Sequence, residues 1–170
     1  MIFENNKGER AEAYQILSQF FLSPPDEEAL IAIRQDFSLD SRETLDEITE
    51  DYEALFSSPQ GRLQPIESLS SPTIETVRQN AEDFYTGAGL IIDESYAVVP
   101  DHLSLELLFM SYLIENEKSN LEKKFLEQHL MNWVPDYCDE VTKQAKTLFY
   151  REIADIVKEF LAAEYEEYID

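Results

Sequence analysis

The sequence predicts an all-α protein, a single-domain bundle of about seven or more helices that spans residues 1–170. The length of 170 residues suits one domain. The four glycines and seven prolines lie at the edges of, or between, segments whose apolar residues recur with a helical period. Strict alternation of polar and apolar residues over the length of a strand is hard to find. These observations together favour helices packed on one another.

Three helices are predicted before a long loop. The first spans 6–22 and is ended by the prolines that follow it, and the second spans 26–37. For the third helix, Asp40 is the predicted N-cap, and Glu43 three residues later makes a capping-box-like start. The polar segment 57–71 contains prolines and a glycine, which predicts a long loop. Long loops in compact domains tend to be functional or mobile.

The second half of the chain contains the remaining helices. Pro72 occupies the predicted first position of a helix that ends near Gly87, which suits the C′ position. Two more helical segments follow the central helix, and the later one is predicted to start near Pro135. The acidic residues 164–170 are predicted to form a frayed tail.

The central helix begins at a Pro-Asp-His sequence. Pro100 favours an extended residue before it, and Asp101 is a good N-cap whose carboxylate can accept N–H groups of the first turn. The helix from about His102 to Asn116 is apolar nearly all round, which predicts a position at the centre of the bundle. Asp101 and His102 are therefore expected where this core helix meets solvent.

The net charge narrows the classes of partner. With 13 Lys and Arg against 36 Asp and Glu, the formal charge of −23 opposes binding to nucleic acid or to an anionic membrane surface. Cys138 is the single cysteine, which excludes an intramolecular disulfide and a cysteine-rich zinc site. The first residues lack a signal peptide pattern, and no apolar run approaches the ~20 residues of a spanning helix. We therefore expect a soluble cytoplasmic protein that attracts basic partners and does not insert into a membrane.

Metal binding and catalysis are weakly indicated. His102 and Glu106 share a helix face beside Asp101, but a second Glu-x-x-His motif or further cysteines are missing for a closed metal site. Ser104 is an available nucleophile, yet the sequence has no nucleophile elbow and no phosphate-binding glycine loop. His129 is interpreted as a structural histidine. The sequence therefore predicts no catalytic residue, no metal and no cofactor.

The aromatic residues suit two interpretations. Each is best explained as core, but several together could line an apolar groove framed by carboxylates. Such a groove would accept a basic segment followed by an apolar run, whereas the charge alone also suits a solubility surface. The aromatic residues concerned are Tyr52, Phe56, Phe84, Phe109, Tyr112, Trp133 and Phe149.

A set of short motifs occurs in a fixed order over roughly residues 45 to 162. The motifs are Tyr52-x-x-Leu55-Phe56, Pro65-Ile66-Glu67-Ser68, Pro100-Asp101-His102-Leu103 leading into Glu106-Leu107 and Phe109-Met110, Phe125-Leu126-x-x-His129-Leu130-x-x-Trp133-x-Pro135, and Phe149-Tyr150. Together they resemble the TorD/DmsD/NarJ family of cytoplasmic chaperones, which mature molybdopterin oxidoreductases.

The resemblance implies an all-helical chaperone and not an enzyme. It would bind the twin-arginine signal peptide of a reductase catalytic subunit and delay export until the molybdenum cofactor is inserted. The Asp-His pair resembles the DMSO/TMAO reductase branch more than the nitrate reductase branch. The implied peptide-binding residues are Pro100, Asp101 and His102, supported by Glu106 and Tyr52.

Two further expectations accompany the resemblance. The linker before the central helix would permit either a monomer or a domain-swapped dimer. The alternative function, from another class, is a helical metal-dependent hydrolase centred on Asp101, His102 and Glu106, and bound metal would favour it.

Overall fold

The chain folds into a bundle of α-helices, as the sequence predicts. The computed structural model describes residues 6–93 and 98–169. Its elements are α1 (Lys7–Gln19), α2 (Glu27–Asp36), α3 (Leu45–Leu55), a 3-10 helix (Glu67–Ser70), α4 (Ile74–Gly87), α5 (Leu103–Glu115), α6 (Ser119–Phe125), a π-helical segment (Leu126–Leu130), α7 (Met131–Gln144) and α8 (Leu148–Ile169).

Three expectations fall on residues outside the described part of the chain. The missing signal peptide pattern concerns residues 1–5, the linker that would permit a domain swap includes residues 94–97, and the predicted tail includes residue 170. Across the described residues, no helix is both long enough and apolar enough to cross a bilayer.

The helix α5 lies at the centre of the bundle. Nine of its 13 residues are buried, which agrees with an apolar surface nearly all round the helix. It packs most extensively against α1, while α7 packs against α8. Burying each large aliphatic side chain contributes about 1.5–3 kcal/mol. Because α5 is packed on nearly all sides, it gives a fixed position to the candidate residues at its start.

The third helix begins four residues later than predicted. Thr44 is the N-cap, and Thr44 and Glu47 form a full capping box. The prediction of Asp40 as the cap with Glu43 three residues later is wrong. Both pairs satisfy the local pattern, but Glu43 is engaged with the start of α8 instead.

The start of α8 is capped by two acidic side chains from the α3 region. Glu43 accepts hydrogen bonds from the N–H groups of Leu148 at 2.6 Å and Phe149 at 3.2 Å. Asp51, on α3, accepts from the N–H of Thr147 at 2.9 Å and from its hydroxyl at 2.6 Å. Carboxylates are favourable at a helix N-terminus because they meet free N–H groups and the positive end of the helix dipole. These contacts hold α3 against α8.

The contribution of Glu43 to stability is expected to depend on pH. Partial burial acts to raise the pKa of Glu43, but the Ser41 hydroxyl and the N–H groups of Leu148 and Phe149 outweigh it, so the pKa lies below its usual value. Glu43→Ala should lower the free energy of unfolding by about 1 kcal/mol at neutral pH. Because the folded-state pKa is the lower one, this difference should shrink as pH falls below about 4.3.

Urea unfolding of the parent and of Glu43→Ala between neutral and acidic pH measures this difference. Glu12→Ala is the control, since Glu12 is exposed on α1. A stability difference for Glu43→Ala that stayed constant down to acidic pH would contradict the capping role.

The predicted loop 57–71 is partly structured. It contains the 3-10 helix, and before that helix it folds back on the end of α3, where the N–H of Leu63 donates to Leu55 O at 2.8 Å. A Cβ at Gly61 would lie 2.7 Å from the carbonyl oxygens of Leu55 and Ser57, so only glycine fits this close approach.

The helix α4 begins two residues later than predicted and ends at Gly87, near its predicted end, but Gly87 is not the C′ residue. Its N-cap is Thr73, so Pro72 precedes the helix and does not occupy its first position. Gly87 is the last helical residue, and Gly89 has a φ of +90°. The left-handed residue that ends the helix is therefore Gly89, for which glycine has no steric penalty.

Pro135 does not begin a helix. It lies inside α7, and the chain is helical from α6 through the π-helical segment to the end of α7 at Gln144. An interior proline costs ~3 kcal/mol through its missing N–H. The helix continues because α7 buries Trp133, Val134 and three further side chains. The break expected at Pro135 occurs at residues 145–147 instead.

The predicted frayed tail is helical over residues 164–169, which are the last residues of α8. Glu164 is buried and accepts two hydrogen bonds from Arg10 Nε and one from its Nη2, at 3.0–3.2 Å. The guanidinium of Arg10 also contacts Glu122 and the hydroxyl of Tyr168. These contacts attach the end of α8 to α1.

Candidate functional site

Asp101 is a buried ion-pair partner and not a helix cap. Its side chain is 0% exposed. One carboxylate oxygen accepts from Arg78 Nε at 3.1 Å, and the other accepts from the N–H of Ser68 at 2.7 Å. Its carbonyl accepts from the N–H of Glu67 at 3.1 Å. Asp101 therefore joins α4 and the 3-10 helix to the start of α5, and the expectation that it meets solvent is wrong.

His102 is the N-cap of α5. Its Nδ1 accepts from the N–H of Ser104 at 3.2 Å and lies 2.8 Å from the Ser104 hydroxyl. Burial lowers the pKa of His102 to about 4, against the opposing effect of Asp101. The ring is therefore neutral at pH 7, and because Nδ1 accepts, the proton resides on Nε2.

The backbone before α5 runs alongside the loop that precedes the 3-10 helix. Ile66 and His102 form an isolated antiparallel bridge. The N–H of Leu103 donates to Pro65 O at 2.8 Å, and the hydroxyl of Tyr85 donates to Pro100 O at 2.7 Å. The carbonyl of Pro100 is thus held by α4. We call these contacts among residues 65–66, Tyr85 and residues 100–103 the frame.

A cleft of about 320 Å³ opens beside His102. Its walls come from the residues after α1 (21–24), the end of α3 with the residues after it (52–58), residues 64–66, and residues 98–99. Tyr52 lines the cleft and donates its hydroxyl hydrogen to Phe21 O at 3.2 Å, while Glu53 is the acidic side chain among the lining residues that the structure describes. We call this the His102 cleft.

A cluster of buried polar side chains lies where the 3-10 helix, α5 and the π-helical segment meet. His129 Nδ1 lies 2.5 Å from Glu67 Oε1, and His129 Nε2 lies 2.6 Å from Asn80 Oδ1. Glu106 Oε1 accepts from the indole N–H of Trp133 at 3.0 Å. Glu67, Glu106 and His129 are each almost completely buried. We call these three residues the buried triad.

Glu106 is held in its protonated form. Burial raises the pKa of Glu106 far above its usual range, and the adjacent Glu67 carboxylate raises it further. The N–H of Trp133 acts in the opposite direction but does not compensate. The neutral form of Glu106 is favoured because its charged form would be buried beside a second acidic side chain.

The structure separates the residues that the sequence grouped together. His102 and Tyr52 line one cleft, but Asp101 is occupied by Arg78, and Glu106 belongs to the buried triad. The grouping of Asp101, His102 and Glu106 as a metal-dependent hydrolase centre is therefore not supported. Glu67 and His129 lie within the ordered motifs, although the sequence analysis interprets His129 as a structural histidine, whereas Arg78 and Asn80 carry no signal in the sequence.

The comparison with protein families decides the relationship. The family model described as nitrate reductase delta subunit matches residues 21–139. The chain belongs to this family. The matched residues of the delta subunit family include both the His102 cleft and the buried triad, which confirms the resemblance drawn from the motifs.

Two curated relatives of this delta subunit family member are named as chaperones. A perchlorate reductase assembly chaperone protein of Dechloromonas aromatica is 28% identical over 138 residues, 69% of this chain and 62% of that one. A chaperone protein TorD of Colwellia psychrerythraea is 27% identical over 90 residues, 53% of this chain and 38% of that one. The chain thus spans less than two thirds of the length of either relative.

A solved structure shares the fold. The crystal structure described as a putative redox enzyme maturation protein from Archaeoglobus fulgidus matches with a TM-score of 0.62 and 21% identity. The match covers 95% of this chain and 98% of that one. The all-helical fold of this delta subunit family member therefore extends across nearly its whole length.

Proposed function

We propose that this protein is a maturation chaperone for a molybdopterin oxidoreductase of the DMSO/TMAO reductase type. It binds the twin-arginine signal peptide and the catalytic subunit, assists cofactor insertion and delays export, and it is not an enzyme. It acts in the cytoplasm as a monomer or a domain-swapped dimer. Support comes from the family and from the two relatives named as chaperones.

The observation that carries the proposal is the His102 cleft. Motif residues from three distant parts of the sequence, Tyr52, Pro65-Ile66 and His102, form its walls. The apolar side chains in these walls, Phe21 and Phe56 among them, suit an apolar segment. Its volume of about 320 Å³ suits a few side chains of a bound peptide and not a whole folded domain.

His102 is suited to bind a peptide carbonyl. With Nδ1 accepting from Ser104, the Nε2–H group is the donor that the ring offers to the cleft. A neutral donor of this kind pairs with a backbone carbonyl and not with a guanidinium. The ring therefore positions the peptide backbone, while its arginines need a carboxylate elsewhere.

The carboxylate for the arginines is Glu53 and not Asp101. Asp101 is buried and already paired with Arg78, whereas Glu53 is exposed at the edge of the cleft, where it accepts from the Ser57 hydroxyl at 2.6 Å. Arginine binds carboxylates through charge-assisted hydrogen bonds. The charge of −23 adds a long-range attraction for a basic peptide.

Peptide binding is therefore expected to weaken as salt rises. A labelled peptide with the twin arginines and the apolar run should lose at least about threefold in affinity between low salt and 0.5 M salt. Changing both arginines to alanine should remove most of this salt dependence. Fluorescence anisotropy measures both effects, and an affinity unaffected by salt or by loss of the arginines would remove the electrostatic part of the proposal.

The role of His102 is tested by a substitution that keeps the cap. His102→Asn retains an N-cap acceptor but removes the Nε2–H donor, so stability should change little while Kd for the peptide rises about five- to tenfold. Glu140→Gln is the control, since Glu140 is partly exposed on α7 and does not line the cleft. Unchanged peptide affinity and reductase maturation in His102→Asn would remove the cleft as the binding site.

A further inference from the structure

We infer that the buried triad, Glu67, Glu106 and His129, is a binding site for one divalent transition-metal cation of the Zn²⁺ class. One ligand atom from each of the three residues lies within 4.8 Å of the other two. The three residues come from the 3-10 helix, α5 and the π-helical segment. This site is separate from the His102 cleft, since none of the three residues lines that cleft.

Glu106 supplies the observation that points to a ligand. Its Oε2 is completely buried and has no hydrogen-bond partner among the described residues, although its Oε1 is bound by Trp133. A buried polar oxygen without a partner is destabilising, because it has lost its contacts with water and gained none in return. A cation between Glu106 and Glu67 would satisfy this oxygen and the charge of the neighbouring carboxylate together.

The ring of His129 lies between two side chains. Its Nε2 lies 2.6 Å from Asn80 Oδ1, and its Nδ1 lies 2.5 Å from Glu67 Oε1. When Nε2–H donates to the amide oxygen of Asn80, Nδ1 offers its lone pair on the side of Glu67, as a metal-binding imidazole does.

The surroundings match those of a metal ligand. Metal-binding histidines donate their other N–H to an oxygen, and ligating carboxylates are themselves hydrogen-bonded. Here Asn80 and Trp133 provide these outer contacts. The imidazole is also fixed by stacking on Phe125 at 4.8 Å and by the edge of Phe84 at 5.4 Å. Ring orientation is thus set before a metal arrives.

Charge and ligand type indicate the cation. Two carboxylates and one neutral imidazole around a divalent ion sum to zero charge, which a buried site favours. Oxygen and imidazole ligands at about 2.0–2.2 Å suit Zn²⁺, with ligand atoms about 3.4 Å apart and a fourth position for water or a second carboxylate oxygen. To reach this spacing, the Nδ1–Oε1 pair, which is 2.5 Å apart, has to open when the ion binds.

Zinc binding to chelator-treated protein tests the site, with Trp133 as the reporter. Trp133 is the sole tryptophan and donates to Glu106, so its emission should change on binding of one equivalent of Zn²⁺ and should be quenched by Co²⁺. At a hundredfold excess over Kd, Zn²⁺ should raise Tm by about 5–10 °C. About one proton should be released per ion near pH 7, because the metal displaces the proton of Glu106.

Variants separate the buried site from the acidic surface. Glu106→Gln, which mimics the protonated acid, and His129→Gln should each raise Kd for Zn²⁺ by at least about 100-fold. The surface variant Glu140→Gln should bind as the parent does. An equal response of the parent and Glu106→Gln, or no stoichiometric zinc and no proton release by the parent, would show that the triad holds only protons and would overturn the inference.

Two controls keep the result interpretable. If Glu106→Gln fails to fold by circular dichroism, the proton release and the Trp133 response of the parent decide the question alone. Signal peptide binding to the same chelator-treated protein is measured in parallel, so failure of the metal site and failure of the proposed chaperone function appear as separate results.

Discussion

Replacing Trp133 with alanine is expected to lower the free energy of unfolding by about 3–5 kcal/mol. The indole is buried at 4% exposure, packs against Tyr137 with ring centroids 5.1 Å apart, and donates to Glu106 at 3.0 Å. The substitution removes this packing, leaves a cavity and deprives a buried carboxyl oxygen of its donor. Urea unfolding measures the loss, which should appear as a lower midpoint with a similar slope.

Trp133→Phe separates packing from hydrogen bonding. Phenylalanine keeps most of the ring volume but lacks the N–H group. Trp133→Phe should therefore lower the free energy of unfolding by about 1–3 kcal/mol relative to the parent. The control for both variants is Tyr137→Phe. Tyr137 also lies on α7, and this change removes a different hydrogen bond, from its hydroxyl to Leu63 O at 2.6 Å. A near-neutral Trp133→Ala would show that the indole contributes little to the core.

Local patterns in the sequence predict the helices because helical period and cap residues act over a few positions. The central helix, the burial of Trp133, the start of α1 and both ends of α2 follow from such patterns, whereas α1 ends at Gln19, three residues before its predicted end. The error at the start of α3 arises because two residues suit the local pattern equally well, and a contact with a distant part of the chain decides between them. Asp40 and Thr44 both suit an N-cap, and the bond from the N–H of Leu148 to Glu43, 105 residues apart, decides between them.

The candidate site depends on contacts that no local pattern records. Glu67 and His129 are 62 residues apart, and Asp101 and Arg78 are 23 apart. Arginine on the surface of a helix is the common case, so the pairing of Arg78 with a buried Asp101 leaves no signature in the sequence. The exchange of roles between Asp101 and His102 follows from this ion pair, because it takes the better capping residue into the core.

Replacing Asp101 is expected to affect the fold more than peptide binding. Asp101→Ala should lower the free energy of unfolding by about 3 kcal/mol, because the buried N–H of Ser68 and the guanidinium of Arg78 lose their partner. A cap alone would account for only about 1 kcal/mol. Arg78→Ala should cost a similar amount, since it leaves a buried carboxylate without its counter-charge.

A double-mutant cycle isolates the pair. Asp101→Ala combined with Arg78→Ala should be less destabilised than the sum of the two single variants by about 1–3 kcal/mol. Asp51→Asn is the matched control, because it weakens another buried carboxylate, one that does not line the His102 cleft. Asp101→Asn should bind the signal peptide within about twofold of the parent once the fraction of folded protein is taken into account.

The opposite pattern would assign Asp101 to the partner. If Asp101→Asn kept the parent's stability but bound the peptide about tenfold more weakly, its charge would be acting on the peptide's arginine, since a neutral amide is the poorer acceptor. That result would require Arg78 to leave Asp101 when the peptide binds. In that case the ion pair competes with the peptide for Asp101, and Arg78→Ala should strengthen peptide binding. If Arg78→Ala lowers stability and leaves peptide binding unchanged, the ion pair is part of the frame that holds His102 at the cleft.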